Sequence, residues 1–127
     1  GSTVCFEPRD RVVQYLGSTW NVISRTMRWV AGSFVFCDAA AFREVGGFSR
    51  ELFAGEEVDL SRRLERRARR RNQRIVILSR HPLLTSDRKA RLYTPREMLA
   101  FLAKTILQRG RTLRSAEECF SWYDGRR

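Results

Sequence analysis

Three carboxylates, Glu56, Glu57 and Asp59, lie within one short stretch of the sequence. Leu60 and Leu64 follow at four-residue spacing, and this pattern predicts a helix over residues 56–71. Glu57 shares a helix face with these leucines, and an inward carboxylate at the mouth of a site can act as a general base. Acidic side chains also stabilise the first turn of any helix, so a purely structural role remains the alternative.

The surrounding sequence predicts a mixed α/β fold, with a small sheet and flanking helices. Strands are predicted over residues 3–6, 33–37, 74–78 and 83–86, where β-branched and apolar residues cluster. Helices are predicted over 11–27 with a break near Gly17, over 39–45 between an Asp38 cap and a Gly46-Gly47 stop, and over 95–108 after a capping box from Thr94 to Glu97. Strands so few and short need a further partner to complete a sheet.

Length and composition suit one small folded domain. The chain has 127 residues, of which 43% are hydrophobic. We expect residues 3–127 to form a single domain and residues 1–2 to be left over from expression. No apolar run approaches the ~18 residues of a membrane span. The three cysteines are far apart in sequence and without metal-ligand spacing, which is typical of reduced thiols in a cytoplasmic protein.

The charge is strongly positive, because 25 lysines and arginines face 14 acidic residues, a net charge of +11. Such a balance favours polyanionic partners. Seven arginines between residues 62 and 71 could contact an anionic membrane surface, which would make the protein membrane-peripheral. Nucleic acid is the less favoured partner, since no aromatic residues are interleaved with the arginines. A solvated helix face, or a GC-rich genome that favours arginine codons, is the plainer explanation.

Two segments match a known enzyme family in order and spacing. Residues 31–48 form a glycine-led apolar run followed by a short segment that ends in Gly-Gly-Phe, and residues 55–64 read GEEVDLSRRL. This arrangement resembles family-2 glycosyltransferases, in which a Glu-Asp-x-Asp-Leu-x-x-Arg-Leu motif follows a Gly-Gly-Phe turn. Residues 85–93 and 122–127 resemble the ends of bacterial members, so the likeness covers nearly the whole chain.

The resemblance implies an A-type nucleotide-diphospho-sugar transferase fold, of which this chain would be the acceptor-side half. Glu57 stands where the family has the aspartate that deprotonates the acceptor hydroxyl. Glu56 would orient the acceptor or the base, and Asp59 and Arg63 occupy supporting positions. The implied reaction inverts the anomeric configuration.

Two further residues are expected to contact substrate. Arg88 and Lys89 could bind the leaving diphosphate, since an arginine fits phosphate oxygens with two parallel hydrogen bonds; ordinary solvated charges are the alternative. His81 is the only histidine. A histidine late in the chain helps to bind the metal in some glycosyltransferases. A lone histidine before a proline, as here before Pro82, is more often structural or exposed to solvent.

The sequence has no Asp-x-Asp motif, which in the family holds a divalent metal and the donor diphosphate. The resemblance therefore implies that the isolated chain needs no cofactor and is inactive, and that Mg²⁺ or Mn²⁺ serves only a complete transferase. The expected partner is a nucleotide-binding half or a second copy of the chain, as a homodimer. A basic module that self-associates and binds anionic surfaces is the alternative function.

Overall fold

The computed structural model describes residues 1–6, 11–31, 34–86, 95–108 and 111–119. Within them the chain is a small α/β protein with a two-stranded parallel sheet and four α-helices. The elements are β1 (Ser2–Phe6), α1 (Arg11–Met27), α2 (Ala39–Glu44), α3 (Glu56–Arg70), β2 (Leu78–Thr85), α4 (Pro95–Leu107) and a 3₁₀ helix (Arg111–Arg114).

Two compact units make up the chain. The first unit comprises Gly1–Ser49 and Glu57–Ser86, and therefore contains the sheet, α1, α2 and nearly all of α3. The second unit comprises Arg50–Glu56 and Asp87–Arg127, with α4 and the 3₁₀ helix. The expectation of one domain over residues 3–127 stays a prediction.

The two strands of the sheet pair around a wide bulge. Ser2 pairs with Leu78 and Val4 with Leu83, so β1 advances two residues while β2 advances five. Pro82 lies in this bulge, where its missing N–H removes no ladder hydrogen bond. The buried Ser2 hydroxyl fills part of the gap and lies 3.1 Å from the His81 carbonyl oxygen. Ser2, which the sequence suggested was left over from expression, is thus part of β1.

Helix α1 packs directly on β1 through a glycine. The predicted break near Gly17 is wrong, since α1 is continuous from Arg11 to Met27. A Cβ at Gly17 would lie 2.7 Å from the Phe6 ring, so glycine here permits close approach of the helix to the strand. The carboxamide of Asn21 then bonds both backbone groups of Val4, accepting from its N–H at 2.9 Å and donating to its carbonyl at 2.7 Å.

The predicted strands over 33–37 and 74–78 are wrong. Residues 34–38 and 73–77 have no regular secondary structure, and the second strand runs from Leu78 to Thr85 instead. The predicted strand over 83–86 is therefore the end of β2. β-Branched and aromatic residues favour a strand only where a neighbouring strand is available, and the described residues give these two segments none.

The core of the first unit is small and built mainly from short side chains. Leu60 is fully buried, and the other buried apolar residues are Val4, Val13, Val30, Ala31, Ala41 and Ala68. Leu60 and Ala68 lie on the α3 face that the four-residue spacing predicted. Large apolar side chains stay exposed elsewhere, with Phe36 83% and Tyr15 73% accessible.

The second unit is closed by backbone and side-chain bonds around the 3₁₀ helix. The Phe53 N–H donates to the Leu113 carbonyl at 2.8 Å. Thr112 and Cys119 are fully buried, and the Cys119 thiol contacts the Thr112 carbonyl at 3.5 Å. Burial is the main cause of the raised pKa of the Cys119 thiol, and the carboxylates of Glu118 and Glu56 add to it.

Candidate functional site

Helix α3 begins at the acidic stretch, as the sequence predicted. Glu56, Glu57 and Asp59 lie in its first turn and are all half-buried. Adjacent residues on a helix point about 100° apart, so Glu56 and Glu57 cannot share one direction. That Glu57 faces a substrate-sized concavity stays a prediction.

Ser61 ties the Glu57 turn to the segment that precedes the glycine-led run. Its hydroxyl donates to the Glu57 carbonyl at 2.7 Å and accepts from the Val30 N–H at 3.0 Å. Ser61 and Val30 are both buried, so each bond satisfies a group that water cannot reach. Ser61 was not predicted from the sequence. Its position four residues after Glu57 on the predicted helix indicates that its hydroxyl can reach the Glu57 carbonyl, but not that it reaches Val30.

Arg63 ties the same turn to the Gly-Gly-Phe turn. Its Nε donates to Asp59 Oδ2 at 2.8 Å, and its Nη1 donates to the Val45 carbonyl. Nη2 also lies 2.8 Å from Oδ2, an ion-pair distance, although the angle there does not suit a hydrogen bond. Asp59 and Arg63 therefore support the position of the acidic turn against residues 45–48.

The Gly-Gly-Phe turn has the geometry that its glycines permit. Asp38 caps α2, its carboxylate accepting from the Ala41 N–H at 2.8 Å. Gly46 and Gly47 then adopt φ of +82° and +65°, which end the helix. A Cβ at Gly47 would lie 3.1 Å from the Phe42 ring. Phe48 returns to meet that ring edge to face, with centroids 5.6 Å apart.

The remaining candidate residues predicted from the sequence come later in the chain. Arg88 and Lys89, like the predicted Thr94 cap, lie outside the described residues. His81 is exposed on β2. Over the ranges that the structure describes, no three His, Cys, Asp or Glu side chains lie close enough to hold a metal ion. In the same ranges, no helix has the length and apolar character needed to cross a membrane.

Two clefts flank Arg67 in the first unit. The apolar cleft, of about 610 Å³, is lined by residues of 34–38 and 73–76 together with Val30, Leu64 and Leu78. The arginine groove, of about 510 Å³, is lined by Glu44, Val45 and five arginines, namely Arg63, Arg66, Arg67, Arg70 and Arg71.

Comparison with protein-family models, with curated proteins and with solved structures finds no match for this chain.

Proposed function

We propose that this chain is the acceptor-side, catalytic-base portion of an inverting glycosyltransferase with an A-type fold. Glu57 is the general base in this proposal. Glu56 orients the acceptor, while Asp59, Arg63 and Ser61 position the turn that carries both glutamates.

One observation carries the proposal: residues 55–64 are bonded both to residues 31–48 and to Val30, which directly precedes them. Ser61 connects the Glu57 carbonyl to Val30, next to the glycine-led run. Arg63 connects Asp59 to Val45, at the start of the Gly-Gly-Phe turn. The resemblance in order and spacing thus has a physical counterpart in a turn held from two sides.

The proposed reaction needs one proton acceptor from this chain. A Glu57 carboxylate oxygen takes the proton of the acceptor hydroxyl while that oxygen bonds to the anomeric carbon. The bond from the anomeric carbon to the diphosphate breaks on the opposite face, and the configuration inverts. A divalent metal would stabilise the departing charge in a complete enzyme. The described residues offer no donor set for it, so we assign the metal to none of them.

The decisive experiment supplies the donor half. Residues 1–127 would be fused behind the nucleotide-binding, Asp-x-Asp half of a family-2 transferase with known substrates. We expect the fusion to transfer sugar and the 127-residue chain alone to give no turnover. Glu57→Gln in the fusion should lower kcat by about a hundredfold to ten-thousandfold, because it removes the base, and should leave donor binding unchanged.

Two matched variants control this experiment. Glu57→Asp shortens the side chain but keeps a carboxylate, the residue that the family uses, and should retain turnover. Glu117→Gln removes an exposed carboxylate in the second unit and should have no effect. Equal turnover by Glu57→Gln and the unsubstituted fusion would refute the role of Glu57, and turnover by the chain alone would refute its dependence on a donor half.

A further inference from the structure

The arginine groove contains four arginines, Arg66, Arg67, Arg70 and Arg71, to which the proposed transfer reaction gives no role. Arg66 lies nine residues after Glu57 on the same helix, about 14 Å along the axis. Five arginines and one carboxylate line the groove, so its lining carries a net charge of +4. Burying or crowding like charges is unfavourable unless a counter-ion compensates them.

Three of the five arginines are fixed in place by the protein. Arg67 is held by Glu44 Oε2 at 2.8 Å and by Gln73 Oε1 at 2.8 Å, and its side chain is only 13% exposed. Arg71 lies 3.2 Å from Glu44 Oε1. Arg63 is held by Asp59, as described above. The hydrogen bond from Arg67, and then the charges of both arginines, lower the pKa of Glu44, so that this carboxylate stays ionised at neutral pH.

The other two arginines are uncommitted. Arg66 and Arg70 are exposed, lie one helical turn apart at about 6 Å, and have no ion-pair partner among the described residues. The helix dipole accounts for cations in the last turn of α3, but Arg66 lies outside that turn. The groove thus presents two free guanidinium groups beside three that are already oriented.

We infer that the arginine groove binds a phosphate group. Guanidinium groups recognise phosphate oxygens through paired hydrogen bonds, and a phosphate dianion would offset half of the net charge of the lining. Arg66 and Arg70 donate the paired hydrogen bonds to the phosphate, and Arg67, which Glu44 and Gln73 hold, lies against it. The phosphate belongs either to a small soluble ligand or to a lipid headgroup, since both present the same group.

The test compares two double variants with the same change in net charge. Arg66→Gln with Arg70→Gln removes the free arginines of the groove. Arg62→Gln with Arg80→Gln removes two exposed arginines that do not line it. Both lower the net charge by two, and circular dichroism checks that both fold. Binding is measured by calorimetry with inorganic pyrophosphate, with acetate as the control anion, and by co-sedimentation with vesicles containing phosphatidic acid.

We expect the groove variant to bind at least about tenfold more weakly than the unsubstituted chain, and the control variant to bind within about twofold of it. Saturable binding of pyrophosphate identifies a soluble ligand, while binding to the vesicles alone identifies a lipid headgroup. If both variants bind the probes equally weakly, the loss of affinity follows from the lower net charge alone, and the inference is overturned. So would an absence of binding to both probes, or acetate binding as tight as pyrophosphate.

Discussion

At the scale of single residues, two side chains do more than their type suggests. Ser61 and Arg63 are not acidic, yet they bond to the turn that bears Glu56 and Glu57. A general base must keep one hydrogen-bond length to its substrate, so the residues that fix its backbone matter as much as the carboxylate. The candidate site is therefore a bonded set rather than an isolated acidic pair.

Ser61→Ala should destabilise the first unit by about 2 kcal/mol, because it leaves the buried Val30 N–H without an acceptor. Urea unfolding followed by circular dichroism measures the change. Ser18→Ala, an exposed serine on α1, is the matched control and should change stability by less than about 0.5 kcal/mol. Equal effects of the two substitutions would show that the Ser61 bridge contributes nothing.

Cys119 should resist thiol reagents in the folded chain. Its side chain is fully buried, and burial raises the pKa of its thiol, so little thiolate forms and little of it is accessible. Alkylation at pH 8, mapped by mass spectrometry, should modify Cys119 only after urea is added. The half-buried Cys5 and Cys37 provide the internal comparison, and their modification should precede that of Cys119. Rapid native labelling of Cys119 would contradict this.

At the scale of elements, the helices were predicted apart from the break near Gly17, whereas of the sheet only β1 and the end of β2 were predicted. The start and end of α2 follow from local residues, the Asp38 cap and the two glycines Gly46 and Gly47. The four-residue spacing of the leucines predicts which face of α3 is buried. Residues 74–77 instead have the composition of a strand but no neighbouring strand to join among the described residues. A strand depends on its partner, which local sequence does not encode, whereas a helix satisfies its own backbone.

The cap of α2 can be tested on its own. Asp38→Ala should cost about 1 kcal/mol, since the Ala41 N–H loses its acceptor. Asp38→Asn keeps an oxygen that can accept the same bond and should cost only a small part of that amount. Thermal unfolding of the three proteins separates these outcomes. If the asparagine variant proves as unstable as the alanine variant, the carboxylate charge and not the cap is responsible.

The partial predictability of the site has the same origin. Glu56, Glu57 and Asp59 could be placed on one helical turn because their spacing is local. Ser61 could not be linked to Val30 from sequence, since the bond spans 31 residues. The arginine groove combines α3 with Glu44 of α2, and only their packing shows which arginines are paired and which are free.

At the scale of the whole molecule, much apolar surface of the described residues is exposed. Phe36, Val76 and Leu78 around the apolar cleft are each more than half exposed. Apolar patches of this kind usually mark an interface. The net charge of +11 opposes association, but salt screens that repulsion beyond ~10 Å.

We therefore expect the 127-residue chain to self-associate at tens of micromolar, most simply as a two-fold dimer. Light scattering should give a mass of two chains. Phe36→Glu should shift the mass towards one chain, because it places a charge at the rim of the apolar cleft. Tyr15→Glu, on an equally exposed position of α1, should leave the dimer intact. A single-chain mass for the unsubstituted protein would rule out the dimer.

The Asn21 carboxamide has a consequence for the order in which the chain folds. Asn21 is 17 residues from Val4, whereas the hydroxyl of Thr3 meets Leu78 across 75 residues. Closing the longer loop costs about 1 kcal/mol more in chain entropy. During synthesis β1 can therefore pack on α1 before β2 has left the ribosome. The Asn21 side chain then makes the hydrogen bonds to Val4 that a neighbouring strand would otherwise make. Pulse-labelled hydrogen exchange should find the Val4 amide protected ahead of the amides of β2.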